Sequence, residues 1–300
     1  MMIKGPTSRS YFSQRLKIHY LDWGDPLATP VLLVHGSQDH CHSWDWTSEA
    51  LSSEYRLLAP DLRGHGDSSW AIGSSYSSLD YVYDIHQLVE QANLDKIHVV
   101  GHSLGGMIVC LYAGLFPEKV ASLTSIEGVG AFWQELRDKD NPKTRIREWF
   151  EQARNLAGHI PRRYETLDAA FIRMQESNPH LSKERAEHLT IHGSYRNEDG
   201  SYGWKFDSYT YGWPPAGLPF HETIRIWDQI KCPTLLLNAT QGLDHRTGQD
   251  DTMKYFHGAE LIEIVDAGHW LHHDQFDLFI SKLWQFLVNV DGEQEPFIDR

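Results

Sequence analysis

The sequence predicts an α/β architecture: a mostly parallel sheet of about eight strands flanked by helices, with a helical segment inserted after the sixth strand. Three observations predict it. Apolar runs of strand length alternate with amphipathic stretches of helical spacing along most of the 300 residues. The stretch Val99-Val100-Gly101-His102-Ser103-Leu104-Gly105-Gly106 marks a sharp turn from an apolar strand into a helix. Between Gly128 and Thr223 the alternation stops, and Trp149, Phe150, Phe171, Trp204, Phe206 and Trp213 belong to a segment with helical spacing and no core strand.

Taken in order, Tyr11 to Gln14 and Leu16 to Trp23 read as an antiparallel hairpin feeding the sheet. Core strands follow at Pro30 to His35, Arg56 to Pro60, Ile97 to Gly101, Val120 to Glu127, Thr234 to Ala239 and Glu260 to Val265. Helices are expected at Ser43 to Ser52, Leu79 to Ala92, Leu104 to Phe116, Gly248 to Phe256 and Asp274 to Val290. Inside the insertion, Arg145 to Leu156 and Leu167 to Glu176 carry helical spacing. The polar loop Asn197 to Ser201 and the turns Trp213-Pro214-Pro215 and Gly217-Leu218-Pro219 punctuate its second half. The expected division is a core of 1–128 and 223–300 with a helical cap at 129–222, and a polar, loosely held tail from Asp291 to Arg300.

Composition excludes several classes of function. A chain with 41% hydrophobic and 12% aromatic residues can bury a large core. Its formal charge of -14, without a basic stripe, argues against a nucleic-acid partner. No segment has the roughly 20 consecutive apolar residues of a membrane span, and Met1 to Ser10 lacks the apolar core of a signal peptide, so a cytoplasmic location is expected. Cys41, Cys110 and Cys232 are odd in number and widely spaced, which fits reduced thiols better than a disulfide framework or a zinc site. The oligomeric state is not legible.

Ser103 lies between two glycines at the strand-to-helix turn, where a Cβ at 101 or 105 would obstruct the close approach of helix and strand. A serine hydroxyl is a weak nucleophile at neutral pH, so it needs a base, a group to orient that base, and donors for the oxyanion. His269, in Asp266-Ala267-Gly268-His269-Trp270 after the last strand, is chosen as the base among 18 histidines. His272 and His273 begin the next helix and are expected to face solvent. The His35-Gly36-Ser37 turn ends an apolar strand and offers the Ser37 amide, to pair with that of Leu104, as the oxyanion hole.

These residues make the chain resemble an α/β-hydrolase-fold enzyme with a cap. The resemblance is carried by His35-Gly36, the loop Asp61 to Ser68, the turn at Ser103, Ser125-Ile126-Glu127-Gly128 and Gly268-His269, and it covers nearly the whole chain outside the insertion. It implies that Asp61 to Ser68 braces the active-site edge without donating a catalytic group. It also implies an acid partner for the histidine, and here the sequence departs from the commonest family pattern. The strand from Leu235 is not followed at short spacing by an aspartate; Asp244 comes late, and His245 and Arg246 beside it suggest a surface ion pair. Glu127 instead stands at the catalytic edge of an apolar strand, where a charge is costly to desolvate unless paired. Some capped relatives resemble this in placing the acid on strand six. Glu127 is therefore favoured, with Asp244 as the alternative acid and a cap-anchoring ion pair as the competing role for Glu127.

The resemblance implies a serine hydrolase that cleaves a carboxylic ester or thioester of a small-molecule acyl substrate without a cofactor. Lactonase, carbon-carbon hydrolase and cofactor-free haloperoxidase chemistries, or a small-molecule receptor on the same scaffold, are the alternatives. Serine at 103 disfavours haloalkane dehalogenase and epoxide hydrolase chemistry, which needs a carboxylate nucleophile. Asp39-His40-Cys41-His42 carries metal-competent side chains, but no second ligand cluster stands at a recognisable spacing, so no metal is expected and the segment is placed at the pocket mouth. The Trp204 and Phe206 aromatics are expected mainly as cap core, above a greasy acyl or alcohol pocket.

Overall fold

A computed structural model describes residues 5–73, 76–130, 132–212, 214, 217–249 and 251–293. Eight strands form one sheet: β1 (Thr7–Ser13), β2 (Leu16–Trp23), β3 (Thr29–Val34), β4 (Tyr55–Pro60), β5 (Ile97–His102), β6 (Val120–Ile126), β9 (Thr234–Ala239) and β10 (Glu260–Ile264). A separate hairpin, β7 (Ser194–Arg196) and β8 (Tyr202–Trp204), lies in the insertion. The helices are α1 (Asp45–Leu51), α2 (Ser78–Gln91), α3 (Leu104–Leu115), α4 (Phe132–Lys139), α5 (Pro142–Ala157), α6 (Leu167–Ser177), α7 (Lys183–Gly193), α8 (Phe220–Trp227), α9 (Leu271–Asp274) and α10 (Phe276–Glu293).

The sheet order is β1-β2-β4-β3-β5-β6-β9-β10. β1 and β2 pair antiparallel, β2 joins β4 antiparallel, and every later pairing is parallel. The α/β class and the mostly parallel eight-stranded sheet predicted by the sequence are those observed. Parallel strands need crossovers, and the helices that supply them cover both faces. In β3 the period of two is plain: Leu32 and Val34 face the side packed by α2 and α3, while Val31 and Leu33 face α1 and α10. Every residue of β5 is buried, and α3 is buried from Leu104 to Gly114, which puts the turn between them at the middle of the sheet.

Differences from the sequence expectation have local causes. The helix expected from Gly248 to Phe256 is a single 3-10 turn, Thr252–Tyr255, because Gly248 (φ +87°) and Asp251 (φ 60°) both adopt left-handed backbone that interrupts a right-handed helix. The helix expected from Ser43 opens as a 3-10 turn, Cys41–Trp44, and the last helix is split into α9 and α10. The loop Asn197 to Ser201 closes the β7-β8 hairpin, which period reading alone does not reveal. Position 222 falls inside α8, whose Thr223 and Trp227 are buried and whose Ile226 carbonyl lies so near Gly114 of α3 that an added Cβ would stand 2.1 Å from it. Trp213 and Pro215 of the expected turn, and positions 294–300 of the polar tail, lie outside the described residues. Among the described residues no helix is long and apolar enough to cross a membrane, and the three cysteines are free thiols.

Candidate active site

The turn between β5 and α3 is sterically forced. Ser103 holds φ 53° and ψ -114°, a conformation that costs an L residue on the order of 1–3 kcal/mol and persists only when its surroundings impose it. They do so through hydrogen bonds: the Ser103 amide donates to the Ile126 carbonyl (2.9 Å), and its own carbonyl accepts from Met107 and Val129. Close packing adds to this. A Cβ on Gly101 would stand 2.3 Å from the Gly105 carbonyl oxygen, and one on Gly105 would stand 2.1 Å from that of Val34. The steric reading of both glycines from sequence therefore has its counterpart in the packing.

His269 lies on the loop after β10. Its Nε2 is 2.9 Å from Ser103 Oγ, and its Nδ1 is 3.3 Å from Glu127 Oε2. Nδ1 is thus the nitrogen that donates to the carboxylate, and Nε2 the one that meets the serine hydroxyl. Glu127 has no exposed surface and sits just past β6 with φ 48°. Its Oε1 accepts from the Ala239 amide (2.6 Å) and from Arg246 Nη1 (3.0 Å), and its Oε2 accepts from the Leu243 amide (2.9 Å). The loop after β9 wraps this carboxylate so closely that a Cβ on Gly242 would lie 2.1 Å from Oε2. That explains the loop's irregular sequence: it supplies donors to an acid held on another strand. Asp244 is exposed on the same loop, and Arg246 turns inward to Glu127 instead of forming the surface pair expected with Asp244.

Leu104 is the first residue of α3, so its amide belongs to the helix end that has no intrahelical acceptor and carries positive partial charge. Gly36 packs against the same corner, where an added Cβ would stand 3.1 Å from Ser103 Cβ; Ser37 follows it on the exposed loop.

A group of buried histidines surrounds His269. His102 Nε2 donates to the His269 carbonyl (2.8 Å), and its ring lies 4.7 Å from that of His269 and 4.4 Å from that of His272. Burial pushes His102 well below the ordinary histidine value, so it is a neutral spacer. His272 and His273, expected in solvent, are buried at 1% and 4% exposure. The short α9 turns them inward, His272 against Trp44 and His273 within 2.9 Å of Ser43 Oγ and 3.0 Å of Arg185 Nη1. Sequence reasoning missed the positions of His102 and Arg246. His102 adjoins Ser103 in the chain, but its partner is 167 residues away.

Asp61 braces the loop Asp61 to Ser68 by accepting from the Cys41 amide, the Asp67 amide and the His19 ring. Burial alone would raise its pKa, yet the hydrogen bonds from the His19 ring and the Cys41 amide hold it well below the ordinary carboxylate value. His19, Cys41 and Asp61 form a compact donor set, but Asp61 already accepts these three hydrogen bonds. A second set, His42, Asp45, His188 and His192, shares no residue with the Ser103 group.

A cavity of about 480 Å³ opens beside the site, lined by Ser37, Trp270, Tyr164, Trp204, Phe206, Arg162 and Arg173 among others. Trp204 and Phe206, expected mainly as cap core, thus border open space, and the two arginines make the lining less greasy than the sequence suggests.

Comparison with known proteins bears on the family of the chain. A family model described as alpha/beta hydrolase fold matches residues 29–276. A zebrafish (Danio rerio) serine hydrolase-like protein is 28% identical over 223 residues, covering 74% of this chain and 68% of its own length. A probable serine hydrolase of Drosophila melanogaster is 36% identical over 110 residues, covering 36% of this chain, which spans only 33% of that protein. The thioesterase domain from the curacin biosynthetic pathway superposes with a TM-score of 0.80 at 21% identity, over 94% of this chain and 100% of its own. The sheet order, the forced turn at Ser103 and a family match spanning most of the chain lead to one conclusion: the chain belongs to the alpha/beta hydrolase fold family.

Proposed function

We propose that the protein is a cofactor-free serine hydrolase that cleaves a carboxylic ester or thioester through an acyl-enzyme. The observation that carries this reading is His269, whose two ring nitrogens face Ser103 Oγ and Glu127 Oε2. Ser103 Oγ attacks the acyl carbon while His269 Nε2 takes its proton. Glu127 holds the imidazole tautomer and stabilises the imidazolium. The Ser37 and Leu104 amides stabilise the oxyanion, aided by the N-terminus of α3. The imidazolium then protonates the leaving alcohol or thiol, water enters, and a second tetrahedral collapse frees the acid and Ser103. The insertion at 129–222 acts as a cap, and the cavity bordered by Trp204, Phe206 and Trp270 receives the small-molecule substrate.

A serine at the elbow supports acyl transfer over the alkyl-ester chemistry of carboxylate nucleophiles. Two measurements on wild type and Ser103→Ala test the reading: turnover of a panel of p-nitrophenyl esters, acyl thioesters and lactones, and covalent labelling by a fluorophosphonate. Wild type should turn over at least one ester or thioester, and the variant should lose rate by a factor on the order of 10⁴ or more. An unlabelled, inactive wild type would favour a receptor on the same scaffold.

A further inference from the structure

Away from the chemistry assigned to Ser103, two segments bring nitrogen and oxygen donors together. α7 carries His188 and His192 four residues apart, hence on one helical face. The turn after β3 carries His42 and, three residues on, Asp45 at the start of α1. One donor atom from each of the four lies within 4.8 Å of every other. Asp45 Oδ2 already gathers the group, 2.8 Å from His42 Nδ1 and 3.0 Å from His188 Nε2, and the His42 and His192 rings stack at 3.8 Å. The second carboxylate oxygen, Asp45 Oδ1, is buried and has no hydrogen-bond partner among the described residues. A buried acceptor left unmade carries a desolvation cost of about 1–3 kcal/mol, which a cation beside it would relieve.

We infer that His42, Asp45, His188 and His192 bind one divalent transition-metal ion of the zinc type. Three imidazoles and one carboxylate suit zinc and its borderline neighbours, whereas magnesium and calcium prefer all-oxygen sets. Around a tetrahedral ion with bonds of 2.0–2.1 Å, donors stand about 3.3 Å apart, so the two Asp45–histidine contacts must open slightly, the stacked His42 and His192 rings must part, and the wider pairs must close, all by side-chain rotations. They have the freedom and the access to do so: the side chains of His42, Asp45 and His188 are 21%, 17% and 26% exposed. His42 coordinates through Nδ1 and His188 through Nε2, the atoms that now face Asp45. Arg185, one turn before His188, does not oppose the ion, because its guanidinium stacks on Trp46 and Phe276 and donates to His273.

The ion would fasten α7, within the insertion, to the turn that follows the Ser37 loop, next to the contact in which His40 Nε2 donates to the Leu189 carbonyl. The site stands independently of the hydrolase reading. Its test is zinc binding by tag-free, chelator-stripped full-length protein, measured by calorimetry and by metal content after dialysis, with cobalt(II) as a spectroscopic probe. Wild type should take up one tight equivalent of zinc, give the intense visible bands of tetrahedral cobalt, and unfold at higher temperature as zinc is added. H188Q/H192Q should weaken zinc binding on the order of 100-fold or more, and D45N should weaken it while preserving volume. Both should keep the wild-type circular dichroism and gain less in unfolding temperature from added zinc than wild type does. H257Q, which removes an exposed histidine paired with Asp228, should bind zinc as wild type does. No tight equivalent in wild type, or an undiminished one in H188Q/H192Q, would overturn the assignment.

Discussion

Arg246 donates from Nη1 to Glu127 Oε1 at 3.0 Å, so the carboxylate that faces His269 through its other oxygen is buried as half of an ion pair. Glu127 is fully buried and Arg246 is 8% exposed. Removing one partner of such a pair leaves an uncompensated buried charge. Arg246→Met should therefore destabilise the protein by about 3 kcal/mol, read from urea unfolding. It should also lower kcat more than it changes KM, because the loop that holds Glu127 loses its anchor at the Ala239 carbonyl as well. Unchanged stability would refute the structural role.

The two candidate acids separate cleanly. Glu127→Gln keeps the size of the side chain, but its NH2 cannot accept from the N–H groups that face both carboxylate oxygens and the neutral amide cannot support the imidazolium, so kcat should fall by a factor on the order of 10³–10⁴. Asp244→Asn changes an exposed side chain and should leave kcat within about twofold, as surface changes away from a site do. Steady-state kinetics on both variants decide it, and the opposite ranking would move the acid to Asp244.

The elbow glycines respond to steric volume alone. Gly105→Ala places a methyl group 2.1 Å from a backbone carbonyl that cannot move without shifting β3, so a loss of about 3 kcal/mol or more is expected. Gly292→Ala, in α10 with nothing within 4 Å of the added carbon, should be neutral or stabilise by up to about 1 kcal/mol. Thermal unfolding of the pair is the measurement, and equal midpoints would contradict the packing account.

Acid should unfold the protein well above the range of carboxylate titration. Burial, with the neighbouring His65 second, pushes His35 down to about 3, and burial likewise pushes His40 and His65 down to about 4. In the unfolded chain a histidine titrates near 6.5. Below that pH the unfolded state binds protons the folded state refuses, so stability is full above about 6.5 and declines as pH falls toward 4, at about 1.4 kcal/mol per unit for each such group. Asp39, pushed up to about 7 by burial, works in the opposite direction but is outnumbered. The melting temperature should drop steadily from pH 7 to pH 4.5, and His65→Asn should flatten the slope; a profile level over that range would sink this account.

Much of the fold could be read directly because its signals are local. Thr234 to Ala239, built around Leu235-Leu236-Leu237, has the length of a strand and is β9 to the residue. The Ser103 turn announces itself by two glycines whose lack of a Cβ is a property of the residues themselves. Where the reading slipped, the deciding contact lay far along the chain or in a backbone angle that residue type does not dictate. His272 and His273 look like exposed helix-start residues until Trp44 and Ser43 are brought against them. Asp251 turns left-handed where a helix was expected, though nothing in its type demands it.

The sequence by itself therefore determined the α/β class, the strand order along the chain, and the serine at a forced turn with a histidine after the last strand. Periodicity and glycine sterics are encoded within a few residues. Only the tertiary structure decided that Glu127 and not Asp244 faces His269, that Arg246 joins it, and that His42 and Asp45 meet His188 and His192. Each of these is a meeting of charged or polar groups from distant segments, and burial makes such groups choose partners that no local pattern names.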